Sequence, residues 1–305
     1  MNEKPSAQPP YSPAWGYFAL TRLHLFPAGA ILVFWPGAWG VMLSARAAGL
    51  PPRAVAVQTL VYLLGSTLRH NAACIWNDIC DRDFDRQVER SKNRPLACNA
   101  VSVTGAVVLL LIHVVVCCLI LSFAGVEAFK VGLIGLCVPD FIYPLTKRWT
   151  YWPQAWLGLM MTWELLISWV SILGFVNLHV LGVLFCGGVC WTIYYDTIYA
   201  CQDRRDDVKA GVKSTAVLFG EHVRPILSVF ATLFVMSLAY AGHEMGAGPL
   251  FFAISVAGPA TCFAWQLLTV NFDDGDECWK VFKANGNLVG ALVWAGMTAD
   301  YASII

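Results

Sequence analysis

The chain has 305 residues, of which 58% are hydrophobic and only 13% are charged, whereas soluble domains carry about 25% charged residues. This composition excludes a disordered chain and favours the bilayer over water as the solvent. The 20 basic and 20 acidic residues balance, which argues against a protein that binds nucleic acid by neutralising phosphates.

Apolar segments long enough to cross about 30 Å of hydrocarbon, roughly 20 residues each, recur along the whole chain. After a short polar tail at 1–17, we predict membrane helices at 18–43, 54–76, 101–123, 126–144, 153–175, 178–198, 223–243, 248–270 and 281–303. The period-two alternation of a transmembrane barrel is not found, and no linker divides the sequence. The chain is therefore predicted to be an all-α membrane protein, a single domain over 1–305 with about nine transmembrane helices.

Basic residues are concentrated in alternate loops of this topology. One side receives Lys4, the loops at 77–100 and 199–222, the pair at 147–148, and Lys280. The other side receives only Arg46, Arg53 and Lys130. Because cytoplasmic loops carry the excess of Lys and Arg, both long polar loops and the N-terminus are predicted to face the cytoplasm.

Acidic residues are concentrated in the same two long loops. Nine of the twenty acids lie in WNDICDRDFDRQVERSKNRPLA and YYDTIYACQDRRDDVKAGVKST. In the first stretch Asn77, Asp81 and Asp85 are spaced four residues apart, which places them on one face of a helix. In the second, Asp203 and Asp207 share this spacing.

Carboxylates one turn apart repel each other unless a cation lies between them. Mg²⁺ takes oxygen ligands and often completes its coordination shell with substrate phosphate. Surface ion pairing, as within Asp81-Arg82-Asp83, is the alternative for either loop alone. The two acidic loops on one side of the membrane favour a metal site formed by Asp81, Asp85, Asp203 and Asp207.

Basic residues accompany the acids, as a bound metal–diphosphate requires. Arg90 and Arg94 follow the first acidic run, Lys213 follows the second, and Lys147 and Arg148 lie in the loop between them. A membrane anchor at a helix end is the alternative for Lys147 and Arg148. No glycine-rich phosphate loop is present in the sequence.

Two motifs resemble those of the UbiA superfamily of intramembrane prenyltransferases. NDICDRDFD is similar to its N-D-x-x-D-x-x-x-D motif, and DTIYACQDRRDD is similar to the D-x-x-Y-A-x-Q-D-x-x-D-D motif of the 4-hydroxybenzoate polyprenyltransferase branch. The segments TRLHLFPAGAILVFWPGAWG and YPLTKR also resemble that branch. The resemblance covers nearly the whole chain.

The resemblance implies nine helices around a central cavity, Mg²⁺ as cofactor, and prenyl transfer from an isoprenyl diphosphate to an aromatic ring. It implies that Asn77, Asp81, Asp85, Asp203 and Asp207 bind metal and diphosphate. It also implies diphosphate-binding roles for Arg22, Arg90, Arg94, Tyr143 and Lys147.

One departure concerns His24-Leu25-Phe26, where many ubiquinone-pathway members carry an acid and a lysine. This departure leaves the acceptor open, since this helix end borders the cavity. The short N-terminus favours an endomembrane enzyme, in the endoplasmic reticulum for example, over a mitochondrial one. Such an enzyme resembles fungal meroterpenoid relatives that prenylate phenolic acids, often with a farnesyl donor. A ubiquinone-pathway 4-hydroxybenzoate polyprenyltransferase is the alternative.

The mechanism implied is ionisation of the donor followed by attack of the phenol ring. Asp196, two turns before Asp203, is the candidate that orients or deprotonates the phenol; a structural or metal-linked role is the alternative. Trp163 and Trp191 could stabilise a carbocation or simply pack in the core. Glu164 could bind the acceptor or a neighbouring helix.

Asp140 and Asp300 are expected at the membrane interface. A rival from another class is a cation-coupled transporter, although its sites would lie at broken helices near the membrane midplane. Two other rivals are a CDP-alcohol phosphotransferase and an integral-membrane terpene cyclase.

Overall fold

The computed structural model describes residues 11–305, and this part of the chain is helical, without a β-strand. Its α-helices are α1 (Pro13–Leu20), α2 (Ala30–Ala48), α3 (Pro52–Asp85), α4 (Val103–Ser122), α5 (Val126–Cys137), α6 (Pro139–Thr146), α7 (Pro153–Leu173), α8 (Leu178–Ala200), α9 (Arg204–Ala210), α10 (Thr215–Phe219), α11 (Val223–Glu244), α12 (Pro249–Phe251), α13 (Gly258–Thr269), α14 (Gly275–Ala284) and α15 (Gly290–Ala302). π-Helical turns join α12 to α13 and α14 to α15. The predicted polar tail ends inside α1, and residues 1–10, with Lys4, lie outside the described residues.

Seven helical segments of the described residues are long and apolar enough to cross a membrane. They are α2, α4, α5 with α6, α7, α8 with α9, α10 with α11, and α12 with α13. The remaining predicted segments, 54–76 and 281–303, lie in α3 and across α14 and α15. The chain is therefore an all-α, multi-pass membrane protein.

The first membrane helix begins later than predicted. The hydrophobic pattern placed it at 18–43, but α2 starts at Ala30. Arg22 and Gly29 both adopt positive φ, and Pro27 lies between them. Proline cannot donate a helical hydrogen bond, and positive φ ends a right-handed helix. Residues 21–29 therefore form a bend that carries Arg22 toward the ends of other helices.

Helix α2 is the centre of the core, and Leu32 to Ala45 are buried along its whole circumference. It packs against α3, α7 and α15, while α7 packs against α8 and α8 against α11. A Cβ on Gly40 would lie 2.8 Å from the carbonyl oxygen of Leu165 in α7, so glycine permits the close α2–α7 contact. By contrast, α4 buries only Ala106 and faces the lipid.

The acids within apolar segments are paired with arginines. Glu164 accepts a hydrogen bond from Arg69 Nη1 at 3.0 Å, and Asp140 receives two from the same guanidinium. Glu164 thus binds neighbouring helix α3. Asp300 pairs with Arg46 Nε at 2.7 Å.

Both side chains are buried within the protein, and the expected placement of Asp140 and Asp300 at the membrane interface stays a prediction. No pattern in the sequence indicated their arginine partners, which lie far away along the chain.

Candidate active site

A cavity of about 1420 Å³, including its open mouth, lies among α3, α6, α7, α8 and α14. The bend after α1 contributes Arg22 and Gly29 to its wall. Charged residues lie toward the ends of α3 and α8, and apolar residues of α7 and α14 line the interior.

The cavity brings together nearly all of the predicted site residues. Those that line it are Arg22, Asn77, Asp81, Asp85, Arg90, Arg94, Tyr143, Lys147, Asp196, Asp203, Asp207 and Lys213. Arg148 does not line it, because its guanidinium donates to the carbonyl oxygens of Cys80 and Pro144. Its Nη1 also lies 4.0 Å from Asp81 Oδ1, so Arg148 contacts the end of α3 beside the acidic residues.

The first acidic face lies on the last turns of α3, which continues without a break through the first motif. Lys147 Nζ lies 2.5 Å from Asp81 Oδ2 and 3.4 Å from Asn77 Oδ1. Arg94 Nη1 lies 3.0 Å from both oxygens of Asp85. The spacing of four residues thus places three polar side chains on one wall of the cavity.

The second acidic wall is not one continuous helix. Helix α8 ends at Ala200, a 3-10 turn contains Asp203, and α9 contains Asp207. Arg90 donates to Asp203 at 2.6 Å and to the hydroxyl of Tyr199 at 2.8 Å. The backbone amide of Lys213 donates to the Lys147 carbonyl oxygen at 3.2 Å, so the two basic loops meet.

Asp78 connects the basic residues of the site, a role that the sequence reasoning missed. Its carboxylate accepts two hydrogen bonds from Arg22 Nη2, at 2.7 and 2.8 Å, and one from Arg94 at 3.4 Å. Burial opposes the charged form of Arg94, but Asp78 and Asp85 outweigh it and raise the pKa of this guanidinium. Arg94 therefore stays charged. The sequence signal that could have identified Asp78 was its position next to Asn77 in the first motif.

The donor atoms of the site fit a divalent cation that prefers oxygen ligands. In residues 11–305, no group of three or more His, Cys, Asp or Glu side chains is close enough to hold a metal, and Lys147, Arg94 and Arg90 pair with Asp81, Asp85 and Asp203. However, Asp81 Oδ1 is buried without a hydrogen-bond partner. Arg148 Nη1 lies 4.0 Å from this oxygen. A carboxylate oxygen without a hydrogen bond, beside further carboxylates, matches the ligand preference of Mg²⁺.

Asp196 lies deeper than the acidic walls. It lines the cavity on α8, and Gln154 on α7 lines the same cavity. Gln154 in turn accepts from the backbone amide of Thr215 at 3.0 Å. Gln154 thus joins α7 to the start of α10 at the cavity wall.

The aromatic residues that line the cavity are not those considered in the sequence analysis. Trp163 and Trp191 do not line the cavity; their indole nitrogens donate to Val131 and Asn285 in the helix packing. Tyr199, Trp279 and Phe282 line it instead, with the Trp279 and Phe282 rings stacked at 5.3 Å. Periodicity could not separate these aromatic residues from ordinary core positions.

A multi-pass helical body with a cavity of opposed acids and bases at its helix ends defines a membrane enzyme that acts on a polyanionic substrate. The chain belongs to the UbiA prenyltransferase family, which matches residues 33–289. It is thus a transferase of prenyl groups, which overturns the alternative of a cation-coupled transporter.

Relatives over nearly the full length support this assignment. The chain is 42% identical to the UbiA prenyltransferase claS of Ampulloclitocybe clavipes, covering 98% of this chain and 95% of the relative. It is 37% identical to the mitochondrial 4-hydroxybenzoate polyprenyltransferase of Schizosaccharomyces pombe, covering 95% and 81%.

Solved structures share the fold. A UbiA homolog from Aeropyrum pernix K1 superposes with a TM-score of 0.72 at 20% identity, covering 88% of this chain and 97% of that one. A UbiA homolog from Archaeoglobus fulgidus bound to GPP and Mg²⁺ has a TM-score of 0.69 at 18% identity, covering 94% and 99%.

Proposed function

We propose that this protein transfers a farnesyl or similar isoprenyl group from its diphosphate to an aromatic carbon of a phenolic or polyketide-derived acid, with Mg²⁺ as cofactor. The observation that carries the proposal is the meeting of two acidic walls with Arg90, Arg94 and Lys147 in one cavity. The homolog bound to GPP and Mg²⁺ supports the donor and cofactor classes.

Asp81, Asp85, Asp203 and Asp207 would hold the metal. When bound, Mg²⁺ neutralises the diphosphate and makes it a better leaving group. Lys147, Arg94 and Arg90 now pair with three of these acids. In the complex they would turn to phosphate oxygens and release the carboxylates, so the ion pairs hold the site together until substrate binds.

The other polar residues of the cavity would position the diphosphate. Asn77, Tyr143 and Lys213 line it beside Lys147, and Asp78 holds Arg22 at its wall. Arg148 was predicted to bind diphosphate, but we now assign it support of α3 through the Cys80 carbonyl.

Prenyl transfer breaks the allylic carbon–oxygen bond, whose electron pair leaves with the diphosphate. The ring carbon ortho to the phenolic oxygen then attacks the cation and afterwards loses its proton. Tyr199, Trp279 and Phe282 would exclude water from the cation, and their faces could stabilise it by about 0.5–2 kcal/mol each. Asp196 would orient the phenol, take up its O–H proton during the attack, and return it to the oxygen when the ring carbon releases its own proton to the departed diphosphate.

Two relatives support different acceptor classes. The fungal claS protein supports a role in secondary metabolism, of the meroterpenoid type. The Schizosaccharomyces pombe relative favours a second candidate, 4-hydroxybenzoate polyprenylation in ubiquinone biosynthesis. The two candidates differ in donor length and in cellular membrane.

We further propose nine membrane crossings around the cavity, with the charged mouth in the cytoplasm and the protein in the endoplasmic reticulum or another endomembrane. Helix α3 and the segment from α14 to α15 would supply the eighth and ninth crossings. The basic residues at the mouth support this orientation.

A direct assay tests the function. Membranes containing the protein are incubated with Mg²⁺, radiolabelled farnesyl diphosphate and a panel of phenolic acids; we expect a labelled aromatic product. Long polyprenyl diphosphates with 4-hydroxybenzoate test the second candidate. The absence of product with every pairing would contradict both.

The role of Asp196 has its own test. Asp196→Asn should impair acceptor prenylation and raise the acceptor KM. Wild-type turnover with a normal acceptor KM would remove Asp196 from the acceptor site.

A further inference from the structure

Two cavities are stacked along the same helices. The active-site cavity extends to His70 on α3 and to Met160 and Met161 on α7. A second cavity, of about 1090 Å³, begins at the next residue of α3, Arg69, and at Glu164 on α7. No residue lines both, so the structure contains a partition between them.

The partition is a buried ionic group. Arg69 donates from Nε and Nη2 to Asp140 at 2.8 and 2.6 Å, from Nη1 to Glu164 at 3.0 Å, and from Nη2 to the Met160 carbonyl oxygen at 2.9 Å. These bonds join α3, α6 and α7. Because separating buried charges is strongly unfavourable, a hydrocarbon chain cannot easily displace this group.

The distance from the acidic wall to the partition matches a short isoprenoid. Asp81 and His70 are eleven positions apart on α3 (81 − 70), which corresponds to about 16 Å at roughly 1.5 Å per residue. An isoprene unit adds four bonds of about 1.5 Å, or roughly 5 Å along a zigzag chain. The interval from Asp81 to the partition therefore corresponds to about three units.

We infer that the Arg69–Asp140–Glu164 group, with Met160 and Met161 above it, forms the floor that limits the donor to about farnesyl length. The inference rests on the proposed function, because it concerns the donor of that reaction. The second cavity behind the floor is not part of the donor site.

The test measures the binding of non-hydrolysable farnesyl, geranylgeranyl and longer isoprenyl diphosphate analogues to the full-length protein with Mg²⁺, beside turnover. Wild-type affinity should fall about tenfold or more beyond farnesyl, in the range that one misfitting apolar group produces. Met160→Ala should move the preference toward geranylgeranyl by about the same factor. Met161→Ala is the second variant, if the first does not fold.

Gly65→Phe is the matched control beyond the floor. Gly65 lines the second cavity, and a Cβ there meets no atom within 4 Å. The added ring should fill that cavity and leave the chain-length profile unchanged. Weaker binding of any donor in this variant would mean that the chain passes the floor, and would overturn the inference.

Equal wild-type affinity for all chain lengths, or an unchanged profile in both methionine variants, would also overturn it. Measuring donor binding as well as turnover distinguishes failure of this inference from failure of the proposed function. Length-dependent binding without any aromatic product would contradict the transfer reaction alone, whereas product formation with a flat length profile would contradict the floor alone.

Discussion

The two carboxylate oxygens of Asp81 have different surroundings. Oδ2 accepts from Lys147 at 2.5 Å, whereas Oδ1 is buried without a hydrogen-bond partner. We predict that Asp81→Asn lowers kcat/KM by about a hundredfold or more at saturating Mg²⁺, because it removes a ligand from an ion that contributes several kcal/mol. Turnover of labelled farnesyl diphosphate measures the effect.

Asp83 is the matched control for this substitution. It lies two residues further along α3, is 73% exposed, and pairs only with Arg82 and Arg86 at the surface. Asp83→Asn should leave turnover unchanged, because exposed ion pairs contribute little. If both variants kept wild-type activity, the assignment of Asp81 as a metal ligand would be wrong.

Residue spacing predicted part of this site. The four-residue repeat placed Asn77, Asp81 and Asp85 on one wall because α3 is continuous there. The same reasoning treated Asp203 and Asp207 as one helix face and missed the turn that separates them. His70 and Gln154 carried no pattern, since their place at the cavity depends on how distant helices pack.

At the scale of the elements, the contact of α2 with α7 holds the cavity wall in place. A Cβ on Gly40 would lie 2.0 Å from Ser168 Oγ and 2.8 Å from the Leu165 carbonyl oxygen. A side chain can move away, but the backbone of α7 would have to shift. We predict that Gly40→Ala destabilises the protein by about 1–3 kcal/mol, measured by thermal unfolding in detergent.

Gly65→Ala provides the comparison, because this α3 position faces open space. Alanine there should leave the unfolding temperature unchanged or raise it, since alanine is favoured over glycine within helices by about 1 kcal/mol. Equal unfolding temperatures for Gly40→Ala and the wild type would contradict the importance of the close helix contact.

The hydrophobic pattern predicted the positions of the helices more accurately than it predicted where they end. Apolar runs predicted each of the seven membrane-length segments found in residues 11–305. They did not locate the bend at 21–29, where Arg22, Pro27 and Gly29 interrupt the apolar sequence. They also gave no partner for Asp140 and Glu164, since Arg69 is 71 and 95 residues away from them. Such ion pairs depend on the tertiary arrangement of α3, α6 and α7.

At the scale of the whole molecule, the charge distribution sets the orientation in the membrane, and the membrane distinguishes the two candidate functions. The α7–α8 loop at 174–177 lies at the end of α7 opposite the cavity mouth, whereas 220–222 lies between α10 and α11 on the mouth side. An Asn-x-Thr glycosylation acceptor with a flexible spacer can be inserted at either place.

We predict glycosylation of the 174–177 insertion alone when the protein is expressed in a eukaryotic cell, because the proposed topology puts that loop in the lumen of the endoplasmic reticulum. A shift in gel mobility that is reversed by an endoglycosidase reports the modification. Glycosylation of the 220–222 insertion would reverse the topology. If neither insertion were modified while the protein fractionated with mitochondria, the endomembrane assignment would fail and the 4-hydroxybenzoate candidate would gain support.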